Sequence, residues 1–348
     1  MQTKITYEGK HVYIGLDVHR ESFAASCICD GVVVKRSRIP GNAEAVISLV
    51  EKEFAGATVV AAYEAGYSGF WLHRALEAAG VRCLVVHAAS IEVSSRDRVK
   101  TDKRDSLKIA QQLAAGRLRS IRVPSIEQEQ RRLLTRTREQ SMRKKRRVMV
   151  QIRMRLHQFG KLPASLTGRI KLKDVEQILI SLEGELQFTI GLFRDEWVFH
   201  AGHIREINKR LVAIAEEDPL EARYRSVPGV GPLVARVLSA ELGDMSQFPN
   251  ERALFSYTGL TPSEHSSGDK ICRGHISQQG NTRLRHMLVE ASWKVVRKDP
   301  VMKEYYVKLS ERTGGKRAIV AVARKLIGRI RAVMRKEQMY ELGYQQAA

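Results

Sequence analysis

Cysteine is scarce: the 348 residues hold four, Cys27, Cys29, Cys83 and Cys272, with no CxxC pair and no zinc-type spacing. That excludes a disulfide scaffold and a structural zinc site, and it fits small buried thiols in a reducing compartment. No apolar run approaches the roughly 18 residues that a membrane helix needs. Met1 to Lys10 is polar and lacks the apolar core of a signal peptide. Internal repeats and low-complexity tracts are absent. The expectation is a soluble cytoplasmic chain with no membrane partner. Acid is also short relative to base: 38 Asp and Glu against 59 Lys and Arg, a net charge of +21. Such an excess points to a polyanionic partner, because each neutralised phosphate releases a condensed counterion. A basic surface without any one partner is the alternative. Hydrophobic residues make up 43%, enough for two domains or three small ones to bury a core.

The first third alternates strand and helix patterns. Strands are expected at His11–Val18, Phe23–Cys29, Val32–Arg38, Thr58–Tyr63 and Val81–Val86. Asp30-Gly31 reads as a tight hairpin. Helices are expected at Ala43–Phe54, Ser68–Ala79 and Asp102–Ala115. The order β-β-β-α-β-α-β-α, a hairpin start followed by parallel crossovers, matches an RNase H-like domain over residues 1–123. After Pro124 the composition shifts. Arg131 to Lys161 carries twelve Lys or Arg and one acid, Glu139, and reads as one long basic helix broken by Pro163. A second long helix is expected from about Asp174 to Glu217, with apolar residues in heptad steps from Ile178 to Ile214. Together they suggest an antiparallel coiled-coil hairpin over 124–220, with an ordinary helical bundle as the alternative. The remainder, 221–348, reads as mainly helical, with a loop rich in Ser and Gly at Thr261–Gly280. Its last helix, Arg312–Lys336, holds nine Lys or Arg and no acid.

Four acids stand where chemistry is expected. Asp17 ends the first strand and Glu64 ends the fourth; neighbouring strand ends place two carboxylates side by side. Asp102 and Asp105, three apart, project from one face of a helix start. Clustered carboxylates repel one another and need cations. Four can hold two hard divalent ions roughly 3.5–4 Å apart, which clamp the attacking and leaving oxygens of a phosphodiester. Helix N-terminal acids answering the dipole are the plainer reading of Asp102 and Asp105. In Val227-Pro228-Gly229-Val230-Gly231-Pro232, Gly229 and Gly231 read as the turn of a helix-hairpin-helix element gripping a phosphate backbone, or as a plain αα-turn. Ser277 lies on a Gly-bounded loop before a helix that Asn281 or Thr282 can cap, with Arg283 and Arg285 in its first turn as a phosphate site. A hydroxyl held there could attack a phosphodiester; an ordinary loop serine is the alternative. Arg143, Lys144, Lys145, Arg146 and Arg147 are expected to face nucleic-acid backbone.

Six blocks in order resemble the DEDD-type transposases of bacterial insertion sequences, the recombinases guided by a bridge RNA: Gly15-Leu16-Asp17-Val18-His19, Tyr63-Glu64-Ala65, Thr101-Asp102-Lys103-Arg104-Asp105, Val227-Pro228-Gly229-Val230-Gly231, Gly259-Leu260-Thr261-Pro262, and Ile276-Ser277-Gln278-Gln279-Gly280-Asn281 with Arg283-Leu284-Arg285. The resemblance implies a RuvC-like domain whose Asp17, Glu64, Asp102 and Asp105 bind magnesium. It also implies that Ser277 is a nucleophile forming a transient phosphoserine link to DNA. Gln278 departs from the Lys often found after the serine. The implied partners are donor and target double-stranded DNA, a structured non-coding guide RNA and further copies of the chain, as a dimer or tetramer, with serine and acids supplied by different protomers. The implied setting is the bacterial nucleoid. Two other functions compete: a structure-selective endonuclease of the Holliday-junction type, which uses the carboxylates and water and needs no Ser277, and a non-catalytic architectural nucleic-acid-binding protein.

Overall fold

The computed structural model describes residues 6–92, 101–264, 267 and 272–343. Lys100 and part of the 261–280 loop, Ser266 included, lie outside the described residues. The chain divides into two compact units, Met1–Val123 and Pro124–Ala348.

The first unit is a five-stranded mixed sheet in the order β3-β2-β1-β4-β5. Its strands are β1 (His11–Val18), β2 (Ser22–Cys29), β3 (Val32–Pro40), β4 (Thr58–Glu64) and β5 (Arg82–Val86). Asp30 and Gly31, both at positive φ, make the two-residue turn between β2 and β3, the geometry that matches strand twist. β1 pairs antiparallel with β2 and parallel with β4. The helices are α1 (Ala43–Glu53), α2 (Trp71–Ala78) and α3 (Asp102–Ala114). Asn42 caps α1 by accepting the Ala45 N–H at 2.8 Å. α2 begins three residues later than the expected Ser68, because Gly69 sits at φ +59, outside helical space. One face of the sheet (Val12, Ile14, Leu16, Phe23) forms a core with Val46 and Leu49 of α1 and Leu72 and Leu76 of α2. The other face (Ala62, Val86) packs on Ile109 and Leu113 of α3. Fully burying each large aliphatic side chain contributes about 1.5–3 kcal/mol. Cys27, Cys29 and Cys83 are buried and unpaired, and burial pushes the Cys27 and Cys83 thiols up to about 12.

The second unit opens with α4 (Ile126–Gln158), capped by Ser125, whose Oγ accepts the Gln128 N–H at 3.1 Å. The single helix expected over 174–217 is two: α5 (Leu172–Ile180) and α6 (Gly184–Glu217). Ser181 ends α5 by donating its hydroxyl to the Ile178 carbonyl at 2.8 Å, and Gly184 at φ +60 turns the chain into α6. The expected apolar series straddles that break without losing its burial: Ile178, Leu182, Ile190 and Trp197 pack with Val148, Ile152 and Leu156 of α4. Nearer the start of α4, Arg138 donates to Asn208 of α6 at 2.6 Å. Early α4 thus meets late α6, so the two helices run antiparallel. His200, buried, fills the step between Trp197 and Ile204.

The rest of the second unit is α7 (Glu221–Ser226), α8 (Pro232–Leu242), α9 (Glu251–Thr258), the two-stranded hairpin β6 (Pro262–Glu264) and β7 (Arg273–Ile276), α10 (Thr282–Lys298), α11 (Pro300–Thr313) and α12 (Gly315–Lys336). The hairpin lies inside what the composition presents as a loop. Val322, Leu326 and Ile330 of α12 sit in a core with Val237 and Leu238 of α8 and Leu284 and Leu288 of α10. Among the described residues, no helix is long and apolar enough to cross a membrane.

Candidate carboxylate site and serine loop

The carboxylate site is built by one close approach. Gly15 lies two residues before Asp17 on the face of β1 that meets α3. A Cβ there would overlap the Ser106 carbonyl oxygen and the Ala110 backbone nitrogen. Glycine therefore lets α3 lie directly on the strand, and a buried 2.9 Å hydrogen bond between the Ser26 and Ser106 hydroxyls fixes it there. With the helix so seated, its first turn stands beside the end of β1. One ligand atom each from Asp17, His19 and Asp102 falls within 4.8 Å of the others. His19 Nε2 is 3.2 Å from Asp17 Oδ2 and 3.5 Å from Asp102 Oδ1. Burial holds the Asp17 carboxyl above its usual range; His19 opposes this, while Asp102 and Asp105 add to it. Two carboxylates and an imidazole at this spacing, one carboxylate half-buried, form a donor set that fits a divalent cation.

Glu64 and Asp105 stand outside that tight group. Leu16 pairs with Tyr63 in the parallel β1–β4 ladder, so Asp17 and Glu64 are the next residues on adjacent strands, about 4.8 Å apart along the sheet. Glu64 is exposed at the strand end. Asp105, in the first turn of α3, has Lys108 Nζ at 3.8 Å. His19 was not singled out as a ligand by the sequence, although residues i and i+2 of a strand share a face and would have pointed to it.

The serine loop belongs to the second unit. Ser277 follows β7; its backbone N–H donates to the Thr261 carbonyl at 2.8 Å, and its exposed hydroxyl has no hydrogen-bond partner among the described residues. Gln278 sits at φ +56, a conformation that costs a non-glycine residue on the order of 1 kcal/mol and is held by its surroundings. Those surroundings are specific. Asn281 donates its N–H to the Tyr257 carbonyl at 2.8 Å, and its Oδ1 accepts the Leu284 N–H, capping α10. Arg285 donates to the carbonyls of Thr258 (3.0 Å) and Gln279 (3.5 Å) and to the Thr282 hydroxyl (3.1 Å).

Arg283 departs from expectation. It does not present itself to a phosphate: Nε lies 2.6 Å from Glu139, Nη1 3.6 Å from Glu241, and the guanidinium also donates to the carbonyl and hydroxyl of Thr135. Two acids and a carbonyl have claimed its donors, and Arg285 is likewise engaged by the loop's own backbone. The centre of this network is Glu241, which has no exposure at all. Arg136 grips it with two 3.0 Å hydrogen bonds, Arg132 Nε is 3.8 Å away, and Asn281 donates Nδ2 to it at 3.2 Å. Glu241, invisible in the sequence as anything but a helical acid, ties α4 to the cap of the helix that follows Ser277.

At the α7–α8 turn the two glycines differ. Gly229, φ +85, is pressed against α10, where a Cβ would stand 2.6 Å from the Ala291 carbonyl oxygen; its identity serves packing. Gly231 faces open space and precedes Pro232 at the start of α8. On α4, Lys144, Arg146 and Arg147 are exposed, Arg143 pairs with Glu139 at 2.5 Å, and Lys145 is partly buried. Burial, with Arg169 and Arg138 nearby, lowers the Lys145 ammonium from its usual range.

Comparison with known proteins covers both units. A transposase family of the DEDD IS110 type matches residues 14–160, and the Transposase IS116/IS110/IS902 family matches residues 221–307. Among individual relatives, y4qE of Sinorhizobium fredii is 30% identical over 240 residues, which cover 66% of this chain and 57% of that protein. The transposase for insertion sequence element IS1111A of Coxiella burnetii is 29% identical over 252 residues, 70% of this chain and 69% of its own. A second Sinorhizobium fredii relative, y4rJ, is 30% identical over 293 residues, 76% of this chain and 74% of its own. The chain's match thus spans little more than half of y4qE and about three quarters of y4rJ. With Asp17 and Asp102 in the first matched segment and Ser277 in the second, the chain belongs to the IS116/IS110/IS902 family of insertion-sequence transposases.

Proposed function

We propose that this transposase cleaves and exchanges DNA strands through a phosphoserine intermediate at Ser277, with magnesium held by Asp17, Asp102, Glu64 and Asp105 and target choice delegated to a guide RNA. The observation that carries the reading is the seating of α3 on Gly15, which gathers Asp17, His19 and Asp102 at the open end of the sheet within the matched family segment. Magnesium bound there would polarise a phosphodiester oxygen and stabilise the charge that develops on it. His19, between the two carboxylates, orients them. At the serine, the Oγ–P bond forms as the bond from phosphorus to the leaving deoxyribose oxygen breaks; the hydroxyl proton departs and the leaving oxygen gains one. Because the phosphodiester is exchanged and not hydrolysed, a free strand end can reverse the step without ATP.

Arg285 and the Asn281 cap hold the serine loop in place for this step. The α4–α6 hairpin serves as a coiled-coil arm whose exposed basic residues, Arg143, Lys144, Arg146 and Arg147, track RNA or DNA backbone. The α7–α8 turn, through Gly231, serves as a helix-hairpin-helix grip on a phosphate. The working unit is a dimer or tetramer in which one copy's serine meets another copy's acids. Sequence specificity that resides in a guide leaves no base-reading side chains to find.

The test is denaturing electrophoresis of end-labelled element DNA incubated with the full chain, its co-purifying RNA and magnesium. Wild type should yield a protein–DNA adduct that Ser277→Ala lacks, while the variant still binds both nucleic acids. Adduct persisting in Ser277→Ala would move the nucleophile, with Ser266 and Ser267 the next to replace. Cleavage to free ends without adduct in the wild type would favour the hydrolytic endonuclease.

A further inference from the structure

The base-rich run Arg312–Lys336 is not uniform in what its charges do. Arg329 is buried and pairs with Asp299 at 2.8 Å, and Arg331 donates to the carbonyls of Phe248 (3.0 Å) and Pro249 (2.9 Å). These arginines hold the fold together. Lys316, Arg317 and Arg324 are different. They lie on one face of α12, since 316 and 317 step by three or four to Val320 and Ala321 and again to 324, and they line a cleft of about 780 Å³. Sites that take small ligands span about 300–1,000 Å³. No acid is among the described residues lining the cleft, and none of the three cations has an ion-pair partner among the described residues. Arg324 stacks on the Phe255 ring, its guanidinium carbon 4.5 Å from the centroid. Stacking on a ring fixes the plane of a guanidinium and leaves its N–H donors available.

The cleft's other side decides what it serves. Ile276 and Gln278, the two neighbours of Ser277, line it. Ser277 itself is not among the lining residues, so the cleft adjoins the serine's backbone on both sides, and a strand whose phosphate sits at that hydroxyl has the cleft beside it.

We propose that this cleft is the binding site for the DNA strand flanking the bond that Ser277 attacks, with Lys316, Arg317 and Arg324 meeting its phosphates. The proposal rests on the reading of Ser277 as nucleophile. A polyanion answers three cations with no acid beside them among the described residues, and DNA is the polyanion that the reading of Ser277 brings to this loop. Arg324, held by Phe255, sets the position of one phosphate; Lys316 and Arg317, about two turns earlier at the helix start, meet phosphates further along the strand.

The test uses the full chain with its co-purifying RNA, in the Ser277→Ala background so that only binding is read. Fluorescent duplexes spanning the element end carry a neutral methylphosphonate at one position at a time. The double variant Lys316→Gln with Arg317→Gln, both exposed and so safe for folding, is compared with its parent. The expected result is that methylphosphonates at one to three positions beside the cleaved bond weaken the parent roughly fivefold or more and leave the double variant indifferent, the non-additivity of groups that touch. The salt dependence of binding should also flatten by about two units of slope, near 0.9 for each phosphate no longer neutralised. Additive effects at every position would overturn the proposal. Coupling seen only when the methylphosphonate is placed in the RNA would overturn it too, by assigning the cleft to the guide. Failure of the serine reading appears separately, as adduct formed by Ser277→Ala.

Discussion

Replacing Gly15 with alanine tests whether the carboxylate site depends on the seating of α3. The added methyl would overlap the Ser106 carbonyl oxygen and the Ala110 nitrogen, both backbone atoms that no side-chain rotation can move aside. Relieving that overlap requires the helix to retreat by about 1 Å, an overpacking that typically costs about 1–3 kcal/mol. For a unit of this size the thermal midpoint should fall by about 4–12 °C. The loss of activity should be larger than the loss of stability implies. Asp102 rides on the first turn of α3, and the retreat carries it away from Asp17 and His19, which now share a 4.8 Å neighbourhood with it. A misplacement of about 1 Å at a reacting centre costs about 100-fold. The assay is magnesium-dependent DNA cleavage measured well below the midpoint, alongside a melting curve. Cleavage within a few fold of wild type in a protein whose midpoint has dropped as expected would refute the link between the glycine cradle and the chemistry. A tenfold higher magnesium requirement with a partly restored maximum would support it.

Two further outcomes are expected. Asp17→Asn should abolish cleavage yet raise the metal-free midpoint at neutral pH. Burial holds this carboxyl above its ordinary 3.8, so its ionised form opposes folding; the stability it permits is intact below pH 3.8 and is lost as pH rises through the folded value. The variant's gain should therefore vanish near pH 3, and a gain independent of pH would point to packing in place of charge. On α4, replacing Arg143, Lys144, Lys145, Arg146 and Arg147 with Gln should reduce the slope of log affinity against log salt by about one unit for each phosphate that the arm ceases to neutralise; an unchanged slope in filter binding would mean a merely solvated face.

Where each residue's role is set by its neighbours in sequence, the sequence showed it. The strand at His11–Val18 and the Asp30-Gly31 turn depend on local pattern, and both stand where that pattern put them. The break at Ser181–Gly184 was not legible, because the apolar series continues through it in unaltered phase and only a backbone turn marks the end of α5. Asp17 and Asp102 were legible as strand-end and helix-start acids. His19 needed the i,i+2 rule applied to a residue just past a strand. The place of Arg283 in a helix's first turn points to a phosphate ligand, but its fate is decided by Glu139 and Glu241, 144 and 42 positions away in the numbering. No local pattern records a partner at that distance, and the same holds for the buried Glu241.

Glu241 also has a mechanical meaning. Its carboxylate is held at once by arginines of α4 and by the cap of α10, and removing one partner of such a buried pair costs about 3–5 kcal/mol. A joint of that stiffness transmits displacement where a softer one would absorb it. Helix α4 and the cap of α10, four residues after Ser277, are therefore tied as handle and tooth of one lever. On the reading proposed above, tension placed on α4 by a bound nucleic acid would reach Ser277 as a change of position, and strand alignment would be a matter of moving whole bodies into register.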